Sequence, residues 1–167
     1  MKYAIVINSK TGNTKRLAEA IQETVGKDTP IYEEPVNEAK DADVIFAGFW
    51  TDKGSCTGEM KEFLTSLQNK KVFLFGTAGF GGGSEYFTQI LGRVKENINL
   101  TNQIIGEYMC QGKMPMGIRA RYEAMAAENP ENEKFKGMIE NFDMALLHPD
   151  QEDLQKLKKQ VELCIKN

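Results

Sequence analysis

A chain of 167 residues, of which 41% are hydrophobic and 27% charged, is long enough to bury one core but short for two, so we expect a single domain over residues 1–167. Its formal net charge of −3 lacks the basic excess that nucleic acids attract, so we expect no nucleic-acid partner. The first apolar run is too short for a signal peptide or a membrane span, so we expect a cytoplasmic protein without membrane association. The three cysteines form no Cys-x-x-Cys pair and predict neither disulfides nor a metal site.

Apolar runs alternate with amphipathic segments along the first two-thirds of the chain. Residues 3–7 form a continuous, β-branched run, as in a central parallel strand buried on both faces. Four further runs predict the remaining strands, at 31–32, 44–48, 72–76 and 103–109. Segments with helical spacing lie at 14–25, 59–67 and 85–97. This alternation predicts an α/β fold with a doubly wound, five-stranded parallel sheet.

Three loops follow the predicted strands, and each is rich in hydroxyls or glycine. The first, Ser9-Lys10-Thr11-Gly12-Asn13-Thr14, joins the first strand to a helix. Hydroxyls and free backbone N–H groups at a helix N-terminus suit a phosphate, although the same residues also serve as ordinary helix caps. The second loop spans 49–58. The third, 77–84, is so rich in glycine that its backbone must approach a partner closely or adopt positive φ.

The first loop carries the pattern Thr/Ser-x-Thr-Gly-x-Thr between a strand and a helix, and in this respect the chain resembles the flavodoxin family. The resemblance implies the strand order 2-1-3-4-5, with a ligand crevice at the carboxyl ends of strands one and three. It also implies the cofactor FMN, with its phosphate on the first loop and its ring between the second and third. The cofactor-binding residues so implied are Ser9, Lys10, Thr11, Gly12, Asn13, Thr14, Phe49, Trp50, Thr51, Asp52, Lys53, Gly54, Thr77, Ala78, Gly79, Phe80, Gly81, Ser84 and Tyr86.

Three features of the second loop bear on how a flavin would behave. Trp50 lies where flavodoxins often stack an aromatic ring on the flavin; the alternative is that it packs in the core. Thr51-Asp52 stands where many flavodoxins carry Gly-Asp, whose peptide flips toward the reduced flavin, and threonine resists the positive φ that this requires. Lys53 lies in a loop that tends to be acidic in flavodoxins. Its charge there would favour anionic reduced flavin, and the alternative is a solvated surface lysine.

Beyond Gly112 the sequence turns to charged helical segments, at 118–128, 133–147 and 150–165. We expect residues 113–167 to form a helical extension packed on the domain, with the apolar side of its last helix against the sheet. His148, the single histidine, adjoins a helix start, which favours a structural role. The loop Phe-Trp-Thr-Asp-Lys-Gly and this long tail resemble a flavodoxin-like group of anaerobic bacteria, some of which are linked to bilirubin reduction.

The flavodoxin resemblance implies an electron-transfer protein that receives electrons from a reductase and passes them to a partner redox enzyme, as a monomer or weak dimer. No catalytic residue and no metal ligand are predicted. Two alternatives stay open. Flavodoxins commonly carry a tyrosine against the outer flavin face, and its absence here, unless Phe80 replaces it, favours an FMN-dependent reductase or oxidase acting on a quinone or tetrapyrrole. The other alternative is a non-redox binding module that has kept the fold.

Overall fold

The computed structural model describes residues 1–80 and 83–166. Within them lie five strands: β1 (Tyr3–Ile7), β2 (Ile31–Tyr32), β3 (Val44–Trp50), β4 (Lys71–Ala78) and β5 (Gln103–Gln111). The helices there are α1 (Asn13–Val25), α2 (Gly58–Ser66), α3 (Ser84–Lys95), α4 (Met116–Glu128), α5 (Glu133–Ala145) and α6 (Gln151–Ile165), with a 3₁₀ turn at Asn37–Asp41. All strand pairs are parallel, in the order β2-β1-β3-β4-β5. The order confirms the predicted doubly wound α/β fold.

The carboxyl edge of the sheet extends farther than the sequence indicated. β3 and β4 each run two residues past their predicted ends, and there Trp50 pairs with Thr77. β5 likewise runs to Gln111, which pairs with Ala78. Trp50 is therefore the last residue of a strand, and the second loop begins only at Thr51. Strand pairing thus fixes the backbone directly beside the predicted ligand crevice.

Two apolar layers cover the sheet, and alternate residues of a strand enter opposite layers. Phe46 of β3 lies with Phe73 of β4 in the layer that includes α1 and α6. Phe49 of β3 lies in the other layer, with Met60 of α2 and Ile90 of α3. All of these side chains are fully buried. The central strands are thus covered on both faces, as their continuous apolar runs predicted.

Of the three C-terminal helices, α6 completes one apolar layer of the core, whereas α4 and α5 form a pair. On α6, Leu157 and Val161 are fully buried in the layer that α1 also covers. α4 and α5 pack against each other and are joined by a bidentate ion pair from Arg119 to Asp143, at 2.8 and 3.0 Å. None of the described helices is both long enough and apolar enough to cross a lipid bilayer.

Candidate functional site

The first loop ends at Gly12, which precedes α1 with φ +86°. A glycine accommodates this left-handed conformation without the steric cost that a Cβ would add. No side chain of the described residues caps this helix end. The first-turn N–H groups of a helix lack intrahelical acceptors, and the helix dipole makes this end positive. The start of α1 is therefore open to an anion, and the ordinary capped helix start is not what forms here.

Two buried polar atoms at the start of α1 have no hydrogen-bond partner among the described residues. Asn13 is 5% exposed and Thr14 is 1% exposed. The unpartnered atoms are the amide oxygen Oδ1 of Asn13 and the hydroxyl oxygen Oγ1 of Thr14. A buried polar atom without a partner costs about 1–3 kcal/mol, so folded proteins rarely keep one without a reason. A ligand with complementary groups at this loop would give both atoms a partner.

Lys113, just beyond β5, ties the first loop to the C-terminal part of the chain. Its carbonyl oxygen accepts hydrogen bonds from Asn13 Nδ2 at 2.9 Å and from Thr11 Oγ1 at 3.3 Å. The neighbouring residue must be glycine, because a Cβ on Gly112 would lie 2.5 Å from Asn13 Nδ2. Lys113 N–H in turn donates to the carbonyl oxygen of His148 at 3.1 Å. The first loop is thus anchored by Lys113, which lies a hundred positions from Asn13 in the chain.

A cavity of about 270 Å³ opens beside this loop at the carboxyl edge of the sheet. The end of β3 and the residue after it form its floor. Thr51 donates two hydrogen bonds to the carbonyl oxygen of Thr77, from its backbone N–H at 3.0 Å and from Oγ1 at 2.8 Å. Trp50 is half-buried, and Lys10 Nζ lies 5.0 Å from the centroid of its ring. Trp50 therefore presents part of its ring to the cavity and does not pack wholly in the core.

The second loop is a tight turn that reverses the chain between Asp52 and Ser55. Asp52 N–H donates to Ser55 O at 2.7 Å, and Ser55 N–H donates to Asp52 O at 3.1 Å. Lys53 and Gly54 between them have φ of 51° and 83°, which is typical of a type I′ turn. The positive φ values of this loop thus lie at Lys53 and Gly54 and not at Thr51, whose resistance to positive φ the sequence analysis noted. The glycine therefore stands at the second central position of the turn, where it is strongly preferred.

Arg93 of α3 holds this turn from the outside. Its Nη1 donates to the carbonyl oxygen of Gly54 at 3.1 Å. A Cβ on Gly54 would approach the same nitrogen to 2.7 Å. The positive φ favours glycine at this position, and a larger residue would also have to displace the end of the Arg93 side chain.

The third loop is held by side chains of β5 and α5. Gln111 Nε2 donates to Gly79 O at 3.0 Å, and Asn141 Nδ2 donates to the same oxygen at 3.1 Å. Gln111 Nε2 also lies 3.1 Å from Asn141 Oδ1. A Cβ on Gly79 would lie 2.5 Å from Met114. Phe80, the next residue, is 42% exposed and lines the cavity, so it does not pack in the core.

The structure gathers most of the predicted residues around one cavity. Those that line it are Lys10, Thr11, Asn13, Trp50, Thr51, Lys53, Gly54, Thr77, Ala78, Gly79, Phe80 and Tyr86. Ser9, Gly12, Thr14, Asp52 and Ser84 lie in the same loops or at the adjoining helix starts without lining it. Gly81 lies outside the described residues.

Phe49 does not reach the cavity. It is 1% exposed and packs in the core, where its ring would lie 2.5 Å from a Cβ on Gly76. The reason is the alternation of side chains along a strand, which sends Trp50 and Phe49 to opposite faces once β3 extends to Trp50. The prediction that Phe49 binds the flavin is therefore corrected, because its side chain belongs to the core.

Five further residues line the cavity and were not among the predicted cofactor-binding residues. They follow β5 and begin α4: Gly112, Lys113, Met114, Pro115 and Ile118. The Gly- and Met-containing stretch after β5 was the available signal, because the carboxyl ends of parallel strands share one edge. The segment after β5 and the start of α4 are therefore part of the wall of the site.

Cys56 lies beside the second loop but takes no part in the cavity. It is buried, and burial raises the pKa of its thiol above the ordinary value. A thiol in these surroundings stays protonated and packs as a small apolar side chain.

The chain belongs to the flavodoxin domain family, whose model matches residues 4–162. Two relatives are each called flavodoxin-like domain-containing protein BilS, one from Clostridioides difficile strain CD3 and one from Clostridium symbiosum strain WAL-14163. Each is 34% identical to this chain, over 92% of it and 90% of the relative.

Solved structures agree on the fold. Oxidised flavodoxin 2 from Bacillus cereus matches with a TM-score of 0.59 and 17% identity, over 99% of both chains. A flavodoxin from the domain Archaea matches with a TM-score of 0.56 and 18% identity, over 99% of this chain and 98% of that one. The fold thus extends over the C-terminal helices as well as the sheet.

Proposed function

We propose that this protein binds FMN across the start of α1 and the adjoining cavity, and that it carries electrons between redox proteins. The observation that carries the proposal is the buried, unpartnered hydroxyl of Thr14 at the uncapped start of α1. A hydroxyl can donate to a phosphate oxygen, and the helix dipole adds to that attraction. The unpartnered Asn13 Oδ1 accepts hydrogen bonds only, which suits a hydroxyl of the ribityl chain.

The cavity is also lined by aromatic side chains, which suit a flat aromatic ring. Trp50 lies at the end of β3 and Tyr86 on the first turn of α3, and both line the cavity. Aromatic rings favour offset stacking, which gives binding energy and orientation together. The backbone at Thr51 and at Gly79 is already anchored by hydrogen bonds, so little ordering is needed when the ligand enters.

A carrier fits the chemistry of the lining better than an enzyme does. Among the described residues that line the cavity there is no histidine, cysteine, aspartate or glutamate. Among the described lining residues, the three lysines and Tyr86 are the only side chains of a type that acts as a general acid or base. Bound FMN supplies reversible acceptance and release of electrons, and the chain supplies binding, orientation and charge. The exposed Phe80 and Lys53 at the rim leave the site accessible to a partner protein.

Titration of FMN with the purified chain tests the binding proposal. We expect flavin fluorescence to be quenched with one FMN bound per chain, because stacking on Trp50 brings an electron-rich indole against the ring. Trp50→Leu removes the aromatic surface and should weaken both the quenching and the affinity. A chain that leaves FMN fluorescence unchanged would contradict the proposal and favour a non-redox binding module.

The electron-carrier role has its own test. The FMN-loaded chain alone should show no sustained turnover of NAD(P)H with a quinone or a tetrapyrrole, and should pass electrons only when a flavodoxin reductase is added. Sustained turnover by the chain alone would favour the FMN-dependent reductase or oxidase. Sedimentation of the loaded chain checks the expectation of a monomer or weak dimer.

A further inference from the structure

Three lysines line the cavity, and no carboxylate does among the described residues. Lys10 comes from the first loop, Lys53 from the type I′ turn and Lys113 from the segment after β5. The chain as a whole is acidic, with 24 carboxylate side chains against 21 lysines and arginines. Asp52 precedes Lys53 in the chain but does not line the cavity. The site is therefore a local region of positive potential on an acidic protein.

The charge of Lys10 lies at the aromatic end of the cavity, and Lys53 lines the same cavity three residues after Trp50 in the chain. Lys10 Nζ lies 5.0 Å from the centroid of the Trp50 ring. Lys53 is in a turn that Arg93 holds through the Gly54 carbonyl oxygen, so a further cation stands behind it. None of the three lysines forms an ion pair with a carboxylate within the described part of the chain. Their charges are thus available to a ligand.

We propose that Lys10 and Lys53 shift the relative affinity of this site toward reduced FMN. The proposal rests on the FMN binding proposed above. Oxidised FMN has a neutral ring, whereas uptake of two electrons and one proton leaves one negative charge on it at neutral pH. A cation nearby therefore stabilises the reduced ring and not the oxidised one. The phosphate carries the same charge in both states, so its attraction to Lys10 cancels in the ratio of the two dissociation constants.

The size of the effect follows from Coulomb's law. For an exposed charge within several ångströms of a bound flavin ring, we expect one lysine to change the ratio of the two dissociation constants by about threefold, and two by about tenfold. A tenfold change in that ratio corresponds to about 30 mV in the midpoint potential of a two-electron couple. Because salt screens exposed charges, the effect should shrink as ionic strength rises.

Anaerobic titrations with oxidised FMN and with dithionite-reduced FMN test this proposal. Lys53→Gln and Lys10→Gln should each weaken binding of the reduced form by about threefold more than binding of the oxidised form, and the double variant by about tenfold more. Lys2→Gln is the matched control. It removes the same charge before β1, at the opposite edge of the sheet, and should leave the ratio unchanged.

The outcomes separate the two proposals. A ratio that stays the same in the double variant, while both FMN forms still bind, would overturn the role of the lysines and leave FMN binding intact. Failure of the unaltered chain to bind either form would overturn the proposed function itself. Equal weakening of both forms by Lys10→Gln, with no effect of Lys53→Gln, would assign Lys10 to the phosphate alone and also overturn the proposal.

Discussion

The side chain of Asn141, on α5, donates a hydrogen bond to the carbonyl oxygen of Gly79 at 3.1 Å, although the two residues are 62 positions apart. Gln111 donates to the same oxygen and lies within hydrogen-bond distance of Asn141. The position of the third loop therefore depends on a side chain of α5 as well as on a side chain of β5. The α4–α5 pair thus contributes to the conformation of the cavity wall and not only to the outer surface.

Asn141→Ala should loosen the third loop and weaken FMN binding by about fivefold, since one hydrogen bond is worth about 1 kcal/mol. Isothermal titration with FMN measures the change. Asn129→Ala, which removes an exposed amide at the end of α4, is the control and should leave the affinity unchanged. Equal affinities for the unaltered chain and Asn141→Ala would show that the loop holds its conformation without α5.

Gly112→Ala should disturb the first loop through a steric contact with Asn13. The added Cβ would lie 2.5 Å from Asn13 Nδ2, so Asn13 must move and its hydrogen bond to Lys113 must weaken. We expect a loss of about 1–3 kcal/mol in the free energy of unfolding together with weaker FMN binding. Urea denaturation and FMN titration measure the two effects.

Gly137→Ala is the matched control for that change. Gly137 lies on α5, and a Cβ added to it would have no atom within 4 Å, so alanine meets open space there. Because alanine is favoured over glycine in a helix, this variant should gain about 0.5–1 kcal/mol. Equal stability changes in the two variants would contradict the tight packing of Gly112.

Asp150 should stabilise α6 through its capping box. Its Oδ1 accepts from the Asp153 N–H at 2.9 Å, and Asp153 Oδ2 accepts from the Asp150 N–H at 2.9 Å. The pKa of Asp150 lies below its ordinary value, chiefly because of the Asp153 N–H and further because of His148. A lowered pKa contributes stability above the unfolded-state pKa, and that stability is lost as the pH falls through the folded-state pKa.

Asp150→Ala should therefore lower the free energy of unfolding by about 1 kcal/mol at pH 7. Asp150→Asn keeps a capping oxygen and should cost only a few tenths of a kcal/mol near neutral pH. The deficit of the alanine variant should narrow as the pH falls below about 4. Thermal unfolding at several pH values measures this, and a deficit that grows in acid would contradict a lowered pKa at Asp150.

His148 contacts the start of α6, beside which the sequence placed it. Its Nδ1 lies 2.7 Å from Asp153 Oδ2, at the start of α6 and inside the capping network. The described contacts of the His148 ring are thus with residues at the start of α6.

The parts of the site that the sequence predicted are those in which neighbouring residues act together. The first loop could be recognised because its hydroxyls, its glycine and the start of α1 are contiguous. The third loop was recognised for the same reason. Gly112 and Met114 were missed because their roles depend on contacts with Asn13 and Gly79, which only the folded sheet brings near.

The second loop shows where local patterns mislead. Phe49 and Trp50 were both assigned to a loop, because strand residues at the end of an apolar run look the same as loop residues. Pairing with β4 extended the strand, and the period of two then separated the two side chains. The turn therefore lies after the extended strand, between Asp52 and Ser55, and its positive φ values are those of Lys53 and Gly54.

FMN binding by Thr14→Val tests the central claim most directly. The substitution removes a buried hydroxyl that has no partner among the described residues and nearly keeps the side chain's shape. Thr65→Val, at an exposed site on α2, is the control. We expect Thr14→Val to bind FMN about tenfold more weakly while the free energy of unfolding without FMN stays the same or rises. Unchanged FMN affinity, or a loss of stability without FMN, would contradict the assignment of this hydroxyl to the phosphate.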